Sequence, residues 1–169
     1  VTASTTDADT TWANKGIEDD CNFQVYAGNL DNERTNFILT SYDDYFPTLA
    51  SPYFHDVYDD SRWTFAVRIR PEPYPLSSEA AFNWGHGVAF TTSSLYEFYG
   101  VRTSYGTVVD KFSLSKTIPY TAASRFTTGS NKKFYIGAHR TNFTGSVLEK
   151  SSVRFLNLRV WNDYLTNEE

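Results

Sequence analysis

Methionine is missing from this chain altogether, and cysteine occurs once, as Cys21. A single thiol excludes an internal disulfide framework and any cysteine-rich zinc site. No apolar run approaches the ~18 residues that a membrane-crossing helix needs, so no membrane insertion is expected. Positive charge is also scarce. The 15 Lys and Arg stand against 20 Asp and Glu, and the resulting −5 argues against a general nucleic-acid binder. Before the last few residues, no window carries an apolar stripe at helical period, which argues against a helical fold.

What is abundant is aromatic surface. Thirteen Phe, 12 Tyr and 4 Trp make up 17% of the 169 residues, a composition that argues against disorder. The length suits one domain, which at this size buries roughly 68–70% of its unfolded surface. Val1 is not an initiator. Thr166-Asn167-Glu168-Glu169 has the spacing of a capping box, which opens a helix, or else is a frayed tail. Together the ends point to a module cut from a longer protein. Residues 1–21 begin with a Thr/Ser-rich stretch and read as a linker or an edge strand, and residues 22–169 as a single domain. Residues 1–60 hold 12 Asp/Glu and 2 Lys/Arg, whereas residues 61–169 hold 8 and 13. The acidic first part reads as solvated loops or as a cation-binding rim.

From Asn22 onward the dominant signal is period two. In Trp63-Thr64-Phe65-Ala66-Val67-Arg68-Ile69-Arg70, Trp63, Phe65, Val67 and Ile69 share one face, and Thr64, Arg68 and Arg70 the other. Pro71, Pro73 and Pro75 then end the run, because proline cannot donate to a ladder. Further strands are expected at 24–27, 37–40, 87–91, 95–102, 108–115, 133–139 and 153–161, separated by turn clusters such as 127–131. In the last of these, Leu156, Leu158 and Val160 make one face and Phe155, Asn157, Arg159 and Trp161 the other. Many strands with short connections predict an all-β, antiparallel two-sheet sandwich or jelly roll.

Several segments together carry a resemblance. They are Lys133-Phe134-Tyr135-Ile136-Gly137-Ala138, Asn142-Phe143-Thr144-Gly145, the stretch from Val153 to Trp161-Asn162, and Leu165-Thr166-Asn167-Glu168-Glu169. They resemble the C-terminal half of laminin G-like, concanavalin A-like jelly-roll domains, and Trp63–Arg70 fits a core strand of that family. Leu95–Gly100 and Trp63–Arg70 are also similar to strands of such domains in tailed-phage virion proteins. Residues 75–132 depart from the family, lacking its Tyr-x-Asp-Gly hairpin. The resemblance implies two face-packed sheets with ligand loops along one rim, in a mostly adhesive or glycan-binding family. Gly137 and Gly145 are expected at positive φ or close backbone approach, and Phe143 is expected to plug the core.

Catalysis finds little support in the residues. Glycoside hydrolysis needs two carboxylates flanking the bond, and catalytic relatives carry them as Glu-x-Asp-x-Glu or Glu-x-Asp-x-x-Glu, which is absent here. Glu97 lies in an expected strand without a carboxylate at i±2. The Gln-x-His of the lyases is missing too. Cys21, beside Asp19-Asp20, reads as a buried small hydrophobe. His55, His86 and His139 share no metal spacing, and His139 reads as a surface residue. Calcium suits paired loop carboxylates, which nominates Asp43, Asp44, Asp59 and Asp60, with Asp19-Asp20 as a further pair. The alternative for each is plain solvation.

Sugar binding asks for exposed rings beside a few polar groups. Phe82-Asn83-Trp84-Gly85-His86-Gly87 offers Asn83, Trp84 and His86, unless Trp84 packs on the core edge. Tyr42 and Tyr45 beside Asp43-Asp44, and Tyr53 and Tyr58 beside Asp59-Asp60, form a second aromatic–acidic cluster. Arg140 and Asn142 could share that rim, and Asn142-Phe143-Thr144 also reads as a glycosylation sequon. The resulting expectation is a non-catalytic recognition or adhesion module on an extracellular or virion surface, binding a glycan. Its rivals are a structural domain that contacts only sister virion proteins, and a glycan hydrolase or lyase.

Overall fold

Alternating apolar and polar side chains favour extended backbone, because a strand so built buries one face and wets the other. The computed structural model of the chain describes residues 2–4, 23–41, 45–59, 61–72, 93–128, 133–137, 139–140, 147–148, 153–161 and 165. They hold strands β1 (Thr2–Ser4), β2 (Phe23–Asn29), β3 (Arg34–Ser41), β4 (Leu49–Ala50), β5 (Phe54–His55), β6 (Arg62–Pro71), β7 (Ser93–Ser104) and β8 (Thr107–Pro119). Helix α1 (Tyr120–Thr128) follows, then β9 (Lys133–Tyr135), β10 (His139–Arg140) and β11 (Val147–Leu148).

The strands form two antiparallel sheets and a small ribbon. One sheet has the order β4-β3-β2-β1-β9, with β5 also on β3; the second has the order β6-β7-β8; β10 and β11 pair alone. Thr2–Ser4 pairs on both sides, with β2 and with β9. The arrangement is consistent with an all-β sandwich.

The two sheets meet through aromatic rings. Phe37 of β3 sits 4.5 Å from the Trp63 ring and 4.6 Å from the Phe65 ring, both on β6. Trp63 and Phe65, two residues apart on one face, are stacked at 5.9 Å. Leu39, Phe46, Leu49, Tyr96, Phe98, Phe112 and Ile118 complete the buried centre, with Val67 and Ile69 packed against it. The expected apolar face of Trp63–Arg70 is therefore the inward face of β6. Pro71 is the last residue of that strand, and β6 is an edge of its sheet, so the missing N–H costs no ladder bond.

Two strand expectations, and the expected lack of any helix before the last few residues, are corrected. Residues 120–128 are helical, although their sequence shows no long apolar stripe. Pro119 ends β8, and Ala122, Ala123 and Phe126 then turn one short face onto the core, the two alanines 1% and 3% exposed. The run expected over 133–139 is broken in two, because Gly137 takes φ +73° and interrupts the alternation before β10. Residues 153–161, expected as the final strand, belong to no strand, and every one of them is exposed. The strand expected at 87–91, and the roles read into Cys21, Phe143 and Gly145, lie outside the described residues.

Candidate functional site

One end of the sandwich gathers the polar chemistry. There the 55–59 loop meets the β7–β8 strand pair through the Arg102 guanidinium and the end of β2 through Tyr58 and Asn29. Arg102 Nη1 donates to the carbonyls of His55 (3.2 Å) and Asp56 (3.3 Å). Its Nη2 reaches Asp110 Oδ2, directly across the β7–β8 ladder, at 2.5 Å, and Asp59 Oδ2 lies 3.7 Å from Nη1. The same side chain stands over the Trp63 ring, 5.9 Å from its centroid. A β-bulge beside Arg102 shifts the register so that it faces Asp110 rather than Val109.

Two backbone turns shape this rim. The hairpin tip Tyr105-Gly106 has φ +48° and +81°, as a tight two-residue turn demands, and leaves the Tyr105 side chain fully exposed. Asp56, also left-handed at φ +54°, turns its carbonyl toward Arg102.

Asp31 closes the β2–β3 turn. Its Oδ1 accepts from the Glu33 and Arg34 amides (3.0 and 2.7 Å), and its Oδ2 accepts from Arg34 Nε (2.7 Å). The Arg34 side-chain hydrogen bond, then the Glu33 amide, hold this carboxyl below the ordinary aspartate value. Asp59 is lowered likewise, first by the Ser61 side chain and amide and then by the positive charge of Arg102.

Tyr58 is the most accessible ring of this rim after Tyr105. It is 73% exposed, yet its hydroxyl donates to Asn29 Oδ1 at 3.1 Å, and the same oxygen accepts from Thr35 Oγ1 at 2.9 Å. Its outer end is thus tethered while its ring stays open to solvent.

The predicted aromatic–acidic cluster divides. Tyr45, also exposed, follows the Ser41 end of β3, whereas Tyr58 bonds Asn29 at the Arg34 end. Seven strand steps, about 23 Å, separate those ends. Asp59 joins the Tyr58 rim, where its carboxylate is engaged by Ser61 and Arg102. Arg140 pairs with Val147 in the β10–β11 ribbon, which is a ladder separate from the two sheets. Tyr42, Asp43, Asp44, Asp60, Asn83, Trp84, His86 and Asn142 lie outside the described residues. Among the described residues no three His, Cys, Asp or Glu side chains come together as a cation site.

Glu97 has partners that its own strand conceals. It lies opposite Arg68 across β6–β7, with its Oε2 3.8 Å from Arg68 Nε and 3.6 Å from Arg70 Nε. Arg68 also covers the Tyr99 ring at 5.5 Å and donates to the Leu165 carbonyl at 3.0 Å. Among the described residues Glu72, whose amide bonds the Ser93 carbonyl, is the next carboxylate on this face. It stands level with a residue four positions from Glu97, about 13 Å along the strand. Carboxyl pairs in glycoside hydrolases stand about 5–9.5 Å apart. The grouping of Arg68 and Arg70 with Glu97, and the roles of Asn29 and Asp110, were missed from sequence. Strand register brings Glu97 and Asp110 to their partners and the 55–59 loop brings Tyr58 to Asn29, although the Arg68–Arg70 alternation had already placed two of the first three on one face.

No family model, curated protein or solved structure matches the chain.

Proposed function

We propose that this chain is a concanavalin A-like jelly-roll module of an extracellular or virion surface protein, and that it binds a glycan without transforming it. The observation that carries the reading is Tyr58, an open ring whose hydroxyl is tethered by Asn29 on a rim clasped by Arg102. Sugar rings stack on such a face with little ordering cost, since the tyrosine is already held. Asn29 and Asp59 stand beside it as polar groups for hydroxyls.

A glycan array, read with calcium and with chelator, supplies the ligand. Tyr58→Ala is then expected to weaken binding at least tenfold, about 1.4 kcal/mol, while the melting temperature stays within about 2 °C. Tyr45→Ala, at the far end of β3, is the matched control and leaves binding intact. Undiminished binding by Tyr58→Ala would remove this rim from the reading. A second reading, a structural domain seated among sister virion proteins, draws on the exposed apolar residues 153–161. Failure to retain any glycan favours it.

A further inference from the structure

Residues 153–161 combine the sequence of a strand with the surroundings of a surface. Among the described residues no strand pairs with them. Their large side chains stand open: Phe155 46% exposed, Leu156 76%, Leu158 41%, Val160 64% and Trp161 53%. Together these five expose on the order of 600 Å² of side chain. A strand-forming segment whose edge no described strand covers is a template for another strand, and this one is matched to itself. Placed antiparallel against a copy of itself about Leu158, it sets like against like at every position from 155 to 161.

We propose that two copies of this chain associate through residues 155–161, paired antiparallel on a two-fold axis through Leu158. Phe155 then faces the partner's Trp161, Leu156 faces the partner's Val160, and Asn157 faces the partner's Arg159. Each is a favourable cross-strand pair, and no like charges stand opposite one another. Leu156, Leu158 and Val160 from both copies form one continuous aliphatic stripe. The contact is isologous, so it closes as a dimer rather than growing into a filament. Pairing covers only part of the roughly 1,200 Å² that the two segments expose, below what a tight interface buries, so the expected Kd is no better than micromolar.

Sedimentation velocity of the full chain between 2 and 200 µM tests this. The expected result is a shift from monomer to dimer across that range, abolished by Leu158→Asp. That variant should keep the parent melting temperature at 2 µM, because among the described residues no strand pairs with the segment. Cysteine placement tests the register, in a Cys21→Ser background under mild oxidation. Leu158→Cys meets itself across the axis within disulfide reach and should link into covalent dimers. Leu156→Cys faces Val160 instead and should form no disulfide-linked dimer. A monomer at every concentration overturns the proposal. So does a large loss of melting temperature in dilute Leu158→Asp, which would place the segment inside its own chain. Equal crosslinking of the two cysteine variants overturns the register.

Discussion

Gly100 lies opposite Phe112 in the β7–β8 ladder, and the Phe112 ring occupies the space a side chain would need. A methyl group at Gly100 would meet Phe112 Cε1 at 2.3 Å and Cζ at 2.5 Å. Ordinary carbon contacts stand at about 3.5–4.0 Å, so the ring must withdraw by more than 1 Å. It has little room, being 6% exposed, with Phe98 edge-on at 5.0 Å, Phe54 at 5.9 Å and Phe37 at 6.2 Å. Overpacking costs about 1–3 kcal/mol, and an overlap of more than 1 Å against a buried ring belongs in the upper part of that range, about 2–3 kcal/mol. Replacing a strand glycine returns about 0.5–1 kcal/mol of backbone entropy. Gly100→Ala should therefore destabilise by about 1–2 kcal/mol, a fall in melting temperature of roughly 2–8 °C for a chain of this size. Urea unfolding and calorimetry on the single variant, on Phe112→Leu and on the double variant measure it. With the ring shortened, the alanine should be tolerated, which gives a coupling of about 1 kcal/mol or more between the sites. An unchanged Gly100→Ala, or the same penalty in both backgrounds, refutes the reasoning.

Other perturbations separate the remaining parts of the fold. Glu97→Gln removes the carboxylate charge shared by the largely buried Arg68 and Arg70 and should cost about 3–5 kcal/mol in urea unfolding, far more than an exposed ion pair is worth. Arg102→Lys keeps the charge but cannot serve two carbonyls and Asp110 together; a loss of about 1.5–3 kcal/mol is expected, with faster proteolysis between residues 55 and 61. The Asp31 carboxyl titrates below its ordinary value in the folded chain, so its contribution is present above about pH 4 and is lost as pH falls through the folded value. The melting temperatures of Asp31→Ala and the parent should accordingly differ at pH 7 and converge near pH 2, and a difference that persists there contradicts the assignment.

Much of the fold was legible because period-two patterning marks the buried face directly. Trp63, Phe65, Val67 and Ile69 declare the inward side of β6, and the structure packs them there. Helix α1 was not legible, since only Ala122, Ala123 and Phe126 among its nine residues are needed to seat so short an element. Phe155–Trp161 shows the converse: strand patterning states a capacity to pair and does not supply the partner. The candidate site was legible in residue type but not in grouping. Tyr45 and Tyr58 look like neighbours along the chain, but β4 and β5 run back along β3 and carry them to opposite ends. Arg68 and Arg70 read as one wet face until pairing with β7 delivers Glu97 from nearly thirty residues away. Register is a property of two strands, and it is only weakly written in either one.

The Arg102 clasp has a consequence for how this end of the molecule opens. Surface connections ordinarily exchange their amide hydrogens by local fraying, independently of the sheets they join. Here the backbone at His55 and Asp56 is tied through a single side chain to the pair of strands that carries Arg102 and Asp110. Deuterium uptake at 55–59 should then track the cooperative opening of that strand pair, making the loop a reporter on β7 and β8, two strands it does not itself join.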